Sequence, residues 1–85
     1  MISVYPNPVS NGIINLHFAN EPEGIYTIRL LNKTGQVMIS KEINHVRGSN
    51  AELIELDKYI GDGIYQMEIS KPDGIQTSIN VAVMK

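Results

Sequence analysis

The sequence predicts an all-β protein: a seven-stranded antiparallel β-sandwich, immunoglobulin-like or fibronectin III-like, with no significant helix. Three observations lead to this prediction. Apolar residues alternate with polar ones in short runs along the 85-residue chain, which is typical of half-buried strands. All four prolines lie between these runs, where a missing backbone donor does not interrupt a ladder. Two polar loops, residues 32–35 and 71–74, end in glycine, as hairpin loops with one residue at positive φ do.

The strands follow in chain order. Residues 2–5 form a short opening run. The apolar faces of the clear runs are then Ile14, Leu16 and Phe18; Tyr26, Ile28 and Leu30; Val37, Ile39 and Ile43; Tyr65, Met67 and Ile69; and Ile75, Thr77, Ile79, Val81 and Val83. Lys41 interrupts its apolar face, which predicts a bulge or an edge position. Residues 51–56 have an ambiguous register, because either Ile54 and Leu56 or Ala51 and Leu53 can face inward. Residues 57–61 are the one candidate helical turn and predict a crossover.

A short motif occurs twice. Residues 23–26, Glu-Gly-Ile-Tyr, recur as residues 62–65, Asp-Gly-Ile-Tyr, and a strand and a glycine-containing turn follow each copy. Two copies are too few for a solenoid, so the repeat predicts two equivalent hairpins, one in each sheet. We expect Tyr26 and Tyr65 each to place the ring in the core and the hydroxyl toward a backbone partner.

Composition excludes several classes of function. Seven basic and nine acidic residues give a net charge of −2, so nothing predicts binding to nucleic acid or to an anionic membrane. The absence of cysteine excludes a disulfide framework and a cysteine-based zinc site or nucleophile. No apolar run approaches the roughly 18 residues of a membrane span, so we expect no membrane insertion. The N-terminus lacks a basic-then-apolar signal peptide. The oligomeric state cannot be read from these features.

Candidate residues for catalysis or metal binding are few. His17 falls on the polar face of its strand and His45 in an expected loop, and neither belongs to a ligand-spaced motif, so we interpret both as surface residues. Asp62 and Asp73 precede glycine, which indicates turn chemistry rather than calcium binding. No G-x-S-x-G nucleophile elbow is present. The sequence therefore predicts no enzyme, no metal site and no cofactor.

A stand-alone adhesion or carbohydrate-binding β-sandwich module is the alternative function. The chain has no tryptophan, and Phe18, Tyr26 and Tyr65 are already assigned to the core. Only Tyr5 and Tyr59 remain for a sugar-binding platform. Four further apolar residues on the outer faces are either packing at the rim of the sandwich or a docking surface for another protein: Ile13, Ile25, Leu31 and Ile64.

Three motifs follow one another along the chain. They are Val4-Tyr5-Pro6-Asn7-Pro8 with Asn11-Gly12-Ile13, the turn Asn32-x-x-Gly35-Gln36-Val37, and Ile54-x-Leu56-Asp57-x-x-Ile60-x-x-Gly63-Ile64-Tyr65. Their order and spacing resemble the type A C-terminal sorting domain of the type IX (Por) secretion system. The resemblance covers essentially the whole chain.

The resemblance implies a non-catalytic sorting and secretion signal. Residues 1–85 would be a single C-terminal sorting domain, excised from the C-terminus of a larger secreted protein. The covalently attached upstream cargo would cross the inner membrane by the general pathway and pass through the periplasm. The outer-membrane translocon would then read the folded domain, and a surface peptidase would remove it. The implied partners are the translocon, the peptidase and the cargo, and the final location is the cell surface or the extracellular space.

The family motif positions are the predicted sorting and recognition residues: Pro6, Asn7, Pro8, Gly35, Gly63, Tyr65, Val81, Val83 and Lys85. The prolines predict a stiff lead-in between a cargo linker and the first strand, or only a loop before the second strand. The glycines and tyrosines are equally well explained as folding determinants. The last strand is expected to expose backbone groups for addition to a partner's sheet. In one departure, uncharged residues 76–78 occupy a stretch where family tails often carry lysines.

Overall fold

A computed structural model describes residues 1–48 and 50–85. Within these residues seven strands form two antiparallel sheets, and none of the residues is helical. The strands are β1 (Ile2–Tyr5), β2 (Ile13–Phe18), β3 (Gly24–Leu31), β4 (Val37–His45), β5 (Asn50–Glu55), β6 (Gly63–Ser70) and β7 (Gln76–Val83). One sheet has the strand order β1-β2-β5 and the other β4-β3-β6-β7. The predicted all-β sandwich is confirmed.

The core lies between the sheets and takes every second residue of the central strands. The buried apolar side chains are Val9, Ile14, Leu16, Phe18, Tyr26, Ile28, Leu30, Ile43, Ile54, Ile60, Tyr65, Met67, Ile69, Val81 and Val83. This alternation arises because successive side chains of a strand point to opposite faces. The ambiguous register of β5 is also resolved: Ile54 is buried and Leu53 is exposed.

Both copies of the repeated motif begin strands of the same sheet. The hairpin of β3 and β4 lies beside the hairpin of β6 and β7, and β3 pairs with β6 from Thr27↔Ser70 to Leu31↔Gln66. The expectation of one hairpin in each sheet is wrong. The crossover after β5 returns the chain to the sheet that already holds β3, so the equivalent strands meet as neighbours. This crossover is a single turn, closed by a 2.9 Å hydrogen bond from Ile60 N to Asp57 O, rather than a helical turn.

The two tyrosines of the repeat make the same contact. Tyr26 Oη donates to Pro22 O at 2.6 Å, and Tyr65 Oη donates to Gly61 O at 2.7 Å. Both rings are buried, so the predicted position of ring and hydroxyl is confirmed. Burial raises the pKa of Tyr26, which keeps its hydroxyl a donor. The glycine before Tyr26 is required by packing, since a Cβ on Gly24 would lie 2.6 Å from Pro72 Cγ.

His45 is a core residue, and the prediction that it lies in a surface loop is wrong. It is the last residue of β4 and is 1% exposed. Its ring stacks on Phe18 with centroids 4.9 Å apart and meets the ring of Tyr26 at 5.7 Å, nearly perpendicular. Its Cα partner across the ladder is Gly24, which has no side chain to compete for the space. His17 is half-buried on β2.

Lys41 closes one side of the sandwich. It lies on β4, an edge strand, and its Nζ donates to Leu53 O of the opposite edge strand β5 at 3.3 Å. The predicted edge position is confirmed, and the irregularity in register lies between Leu30 and Leu31 of the neighbouring strand β3. An inward-pointing charge on an edge strand disfavours pairing with another chain.

A buried carboxylate links the start of the chain to the turn between β6 and β7. Glu21 accepts a hydrogen bond from the amino group of Met1 at 2.5 Å and lies 3.1 Å from Lys71 Nζ. The bond from Met1 is the main reason that the pKa of Glu21 lies below its ordinary value, and Lys71 lowers it further against the opposing effect of burial.

We predict that Tyr26→Phe and Tyr65→Phe each lower the free energy of unfolding by about 1 kcal/mol, because each carbonyl loses its donor. Tyr59→Phe is the control: that side chain is 81% exposed and its replacement should change stability by less than about 0.5 kcal/mol. Urea denaturation measures all three. An equal effect of the three substitutions would contradict the assigned role of the hydroxyls.

We also predict a pH-dependent effect of Glu21→Gln. Because the pKa of Glu21 is lowered in the folded state, its ionised form stabilises the fold above the ordinary value of 4.5. The variant should therefore be less stable than the original chain near neutral pH. This difference should shrink as the pH falls from 4.5 through the lower folded pKa. Denaturation across the acid range measures it, with exposed Glu23→Gln as the control; a pH-independent difference would refute the explanation.

Candidate functional site

Residues 6–9, here named the strap, run from β1 to the outer edge of β7. Val9 is fully buried and forms a parallel bridge with Val83. Val9 N donates to Ala82 O at 2.7 Å, and Met84 N donates to Val9 O at 2.9 Å. The strap therefore adds a short parallel segment to the four-stranded sheet.

The side chain of Asn7 extends this pairing. Its Oδ1 accepts from Ala82 N at 3.0 Å, and its Nδ2 donates to Asn80 O at 3.0 Å. A carboxamide offers an acceptor and a donor side by side, as a peptide group does. Pro6 and Pro8 have no N–H of their own to donate. The Asn7 side chain thus makes bonds with β7 that the flanking prolines cannot.

The strap also corrects one expectation. It follows β1, so the interpretation of Pro6, Asn7 and Pro8 as a lead-in before the first strand is wrong, whereas the loop before the second strand agrees with the structure. The peptide bonds Tyr5-Pro6 and Asn7-Pro8 are both cis. The three motif residues are exposed.

Four other predicted residues pair with one another in the ladder between β6 and β7, on the side of β7 away from the strap. Gly63 lies opposite Val83, and Tyr65 lies opposite Val81, in the ladder between β6 and β7. Val81 and Val83 are fully buried, and Tyr65 is nearly so. Burial of each valine contributes about 1.5–3 kcal/mol. These side chains thus hold β7 in the core and present little surface to a partner.

Lys85 closes the same end of the domain. Its backbone N donates to Asp62 Oδ1 at 2.9 Å, and its Nζ donates to Asp57 O at 3.1 Å. Both partners belong to the crossover between β5 and β6, so the last residue is attached to the segment that precedes Gly63. The side chain of Lys85 remains exposed.

Gly35 lies apart from the strap. It ends the turn between β3 and β4 with φ of 84°, and its N donates to Asn32 O at 3.0 Å. That turn borders a shallow groove of about 230 Å³, which Lys33 and Thr34 line together with Gly63 and Tyr65. The structure therefore brings the strap, β7 and β6 into direct contact and places Gly35 only at the margin.

The last strand exposes backbone groups along only half of its length. Lys71 N donates to Ile75 O, so odd-numbered residues of this strand pair with β6 and even-numbered residues face the open edge. At residues 80–84 the strap bonds the edge. In the described part of the chain, no other segment bonds the backbone of Gln76 or Ser78.

Sequence reasoning missed the residues that join these parts. Val9, Ala82 and Met84 carry the bonds between strap and strand, and Asp62 holds Lys85. Val9 is a single apolar residue after two prolines, so it shows no strand periodicity. Its parallel bridge to Val83 joins residues far apart in the chain and leaves no local sequence pattern. The one available signal was an amide side chain between two prolines.

The tyrosines considered for a sugar-binding platform lie on separate elements. Tyr5 ends β1 and is 47% exposed, whereas Tyr59 lies in the crossover before β6 and is 81% exposed. On the outer face of the four-stranded sheet, Ile25 and Ile64 are exposed and Leu31 is half-buried. Ile13 is half-buried at the start of β2.

Among residues 1–48 and 50–85, no three side chains of the types His, Asp and Glu are grouped to hold a metal ion. His45 packs in the core, and His17 lies on β2. No helix long and apolar enough to cross a membrane occurs among the same residues.

A family model described as the secretion system C-terminal sorting domain matches residues 3–83. The chain belongs to this family. The sorting domain is therefore a C-terminal sorting signal of the type IX secretion system, as the motifs indicated. The family is non-catalytic, and its role implies interaction with the secretion system and export to the cell surface or the extracellular space.

Among solved structures, the sorting domain is similar to PorZ, an essential bacterial surface component of the type-IX secretion system of human oral-microbiomic Porphyromonas gingivalis. The TM-score is 0.69 at 17% sequence identity. The match covers 99% of this chain and 11% of PorZ, so the sorting domain spans a small part of that protein. At this identity the likeness shows the fold alone. No curated protein sequence matches the chain.

We predict that Asn7→Ala loosens the strap and lowers the free energy of unfolding by about 1 kcal/mol, because two exposed hydrogen bonds are lost. Amide exchange at Ala82 should accelerate. Asn7→Asp keeps the acceptor for Ala82 N and should retain more protection there. Asn44→Ala, at an exposed position of β4, is the control. Exchange monitored by NMR measures the effect; unchanged protection of Ala82 in Asn7→Ala would contradict it.

Proposed function

We propose that the sorting domain is the removable C-terminal label of a larger protein. The upstream cargo belongs to the same polypeptide chain, and the label passes through the periplasm in folded form. Translocon components then recognise its surface, and a surface peptidase separates it from the cargo. The label itself is a single domain that performs no chemistry and takes no cofactor. This proposal rests on the family match over residues 3–83.

We further propose that the strap and β7 are recognised together, as one surface. The observation that supports this is the pair of hydrogen bonds from Asn7 to Asn80 and Ala82, which joins the first family motif to the last strand. The buried valines of β7 keep the strand in place. The exposed residues Pro6, Asn7, Pro8 and Lys85 are the ones available for contact.

Only substitutions of exposed motif residues can test recognition, because substitutions of buried ones also destabilise the fold. Removal of residues 81–85 would take two valines out of the core and so unfold the label. A loss of export after that deletion would not separate recognition from folding. Lys85→Ala removes an exposed charge and one bond from its Nζ to a carbonyl, and it leaves the core intact.

The test is a reporter with an inner-membrane signal peptide, fused upstream of residues 1–85. We predict that it reaches the surface or medium of a host with the type IX system and stays in the periplasm of the same host without its translocon. Lys85→Ala should lower the exported fraction, while Lys58→Ala, a matched exposed lysine, should not. Cell fractionation measures export, and protease resistance of each label confirms folding. A folded label that stays periplasmic in the competent host would refute the proposal.

A further inference from the structure

Four turns in the described part of the chain are closed by the same local contact. A side-chain oxygen accepts from the backbone N–H two residues later, over 2.9–3.2 Å, at Asn11, Asn32, Asp57 and Asp73. This contact defines the Asx-turn, in which a side-chain carbonyl takes the place of a backbone one. The local hydrogen bond is thus the same in all four turns, and the chemistry of the residue and of its successor differs.

Of these four turns, only the one at Asn11 combines a side-chain amide with a following glycine. Asn32 is followed by Lys33, and Asp57 and Asp73 carry carboxylates. An amide carbon is a better electrophile than a carboxylate carbon, because the amide has no full negative charge. A glycine after the amide leaves the approach of its own backbone nitrogen open, because it has no Cβ. Asn11 is therefore the side chain most open to attack by the next backbone nitrogen.

The backbone around Asn11 leaves the reacting groups accessible. Asn11 is exposed, and a Cβ on Gly12, whose φ is 75°, would meet no atom within 4 Å. In the described part of the chain nothing accepts a hydrogen bond from Gly12 N, whereas Gly74 N of the fourth turn donates to Lys71 O at 2.9 Å. Ile13 N donates to Asn11 Oδ1 at 3.2 Å. This bond stabilises negative charge that develops on the oxygen during attack on the adjacent carbon.

We propose that Asn11 is a site of spontaneous modification, at which its amide is converted to aspartate and isoaspartate. Gly12 N gives its proton to a base of the solvent and forms a bond with Asn11 Cγ. The bond from Cγ to Nδ2 then breaks, and ammonia leaves with a proton from water, so the product is a cyclic succinimide. Water opens the ring at either carbonyl. Cleavage of the new bond gives aspartate, cleavage of the original peptide bond gives isoaspartate, and nothing is oxidised or reduced.

The two products differ in their effect on the fold. Aspartate keeps Oδ1 as the acceptor for Ile13 N, so the turn remains closed. Isoaspartate routes the main chain through Cβ and Cγ, which lengthens it by one methylene group before Gly12. Gly12 O accepts from Leu56 N at 2.8 Å, next to the pairing of Ile13 with Glu55. A displaced Gly12 O leaves Leu56 N without this acceptor, at the point where β5 passes into the crossover.

The modification requires water and no partner. Each conversion adds a negative charge to a chain whose net charge is already −2, and the conversion is irreversible because the ammonia is lost. The converted fraction therefore rises with the time that the chain has spent in water. The inference is separate from the proposed sorting role, so either can fail without the other.

The experiment is incubation of residues 1–85 in mildly alkaline buffer, with mass spectrometry of proteolytic fragments at intervals. Asn11 should be converted before any other asparagine, and an isoaspartate-specific methyltransferase should label the converted fraction. Lys33→Gly gives Asn32 the same successor as Asn11, so it should raise the conversion of Asn32 above its level in the original chain. Lys58→Gly, beside the carboxylate of Asp57, is the matched control and should leave Asp57 unconverted over the same period.

Gly12→Ala tests the attack directly and should slow the conversion of Asn11 to the rate of Asn32. Because φ of 75° strains an alanine, Asn11→Gln is the second variant: its side chain closes a larger ring, and it should stay unmodified. Circular dichroism confirms that each variant is folded. Amide exchange at Leu56 should be faster in the isoaspartate fraction and unchanged in Asn11→Asp.

Three results would each overturn the proposal. The first is an Asn11 that is not converted, or is converted no earlier than another asparagine. The second is an Asn32 whose conversion Lys33→Gly leaves unchanged. The third is unchanged amide exchange at Leu56 in the isoaspartate fraction.

Discussion

The hydrogen bonds between the strap and β7 are the interaction on which the rest of the domain depends. They fix the first motif of the family on the last strand, and they place Val9 in the core between the sheets. They also determine how much of the β7 edge is open. A side-chain amide is suited to this position because two prolines remove the backbone donors beside it. The three residues Pro6, Asn7 and Pro8 therefore both stiffen the chain locally and bond it to β7.

This contact explains why several family motif positions are buried. Val81, Val83 and Tyr65 hold β6 and β7 in the core, so they support the shape of the folded domain and offer little surface for contact. The first copy of the repeat also supports the fold: Gly24 accommodates Pro72, and the tyrosine two residues later bonds back to a carbonyl. The proposed recognition surface is thus a small exposed set of residues on a rigid support.

The fold was largely predictable from the sequence because the patterns that identify its strands and turns are local. Alternation along β2, β3 and β6, and glycine at the end of two turns, identify strands and hairpins within windows of a few residues. Two features were not predictable: the two hairpins lie side by side in one sheet, and His45 is buried. Both depend on contacts between strands that are distant in the sequence. His45 in particular looks like a loop residue until β4 extends far enough to carry it beside Phe18. The family motifs were enough to predict which residues belong to the candidate site. The hydrogen bonds from Asn7 to β7 were not predictable from the sequence and are seen only in the structure.

The direction of the strap has a mechanical consequence. Val9 runs parallel to Val83, and the strap lies toward the start of the chain while β7 ends it. A pull between the two chain ends that reaches the strap therefore loads its hydrogen bonds with β7 in shear, all at the same time. Hydrogen bonds pulled from one end of a hairpin are instead loaded one after another. The strap is therefore oriented to resist a force applied along the chain between the two ends of the domain.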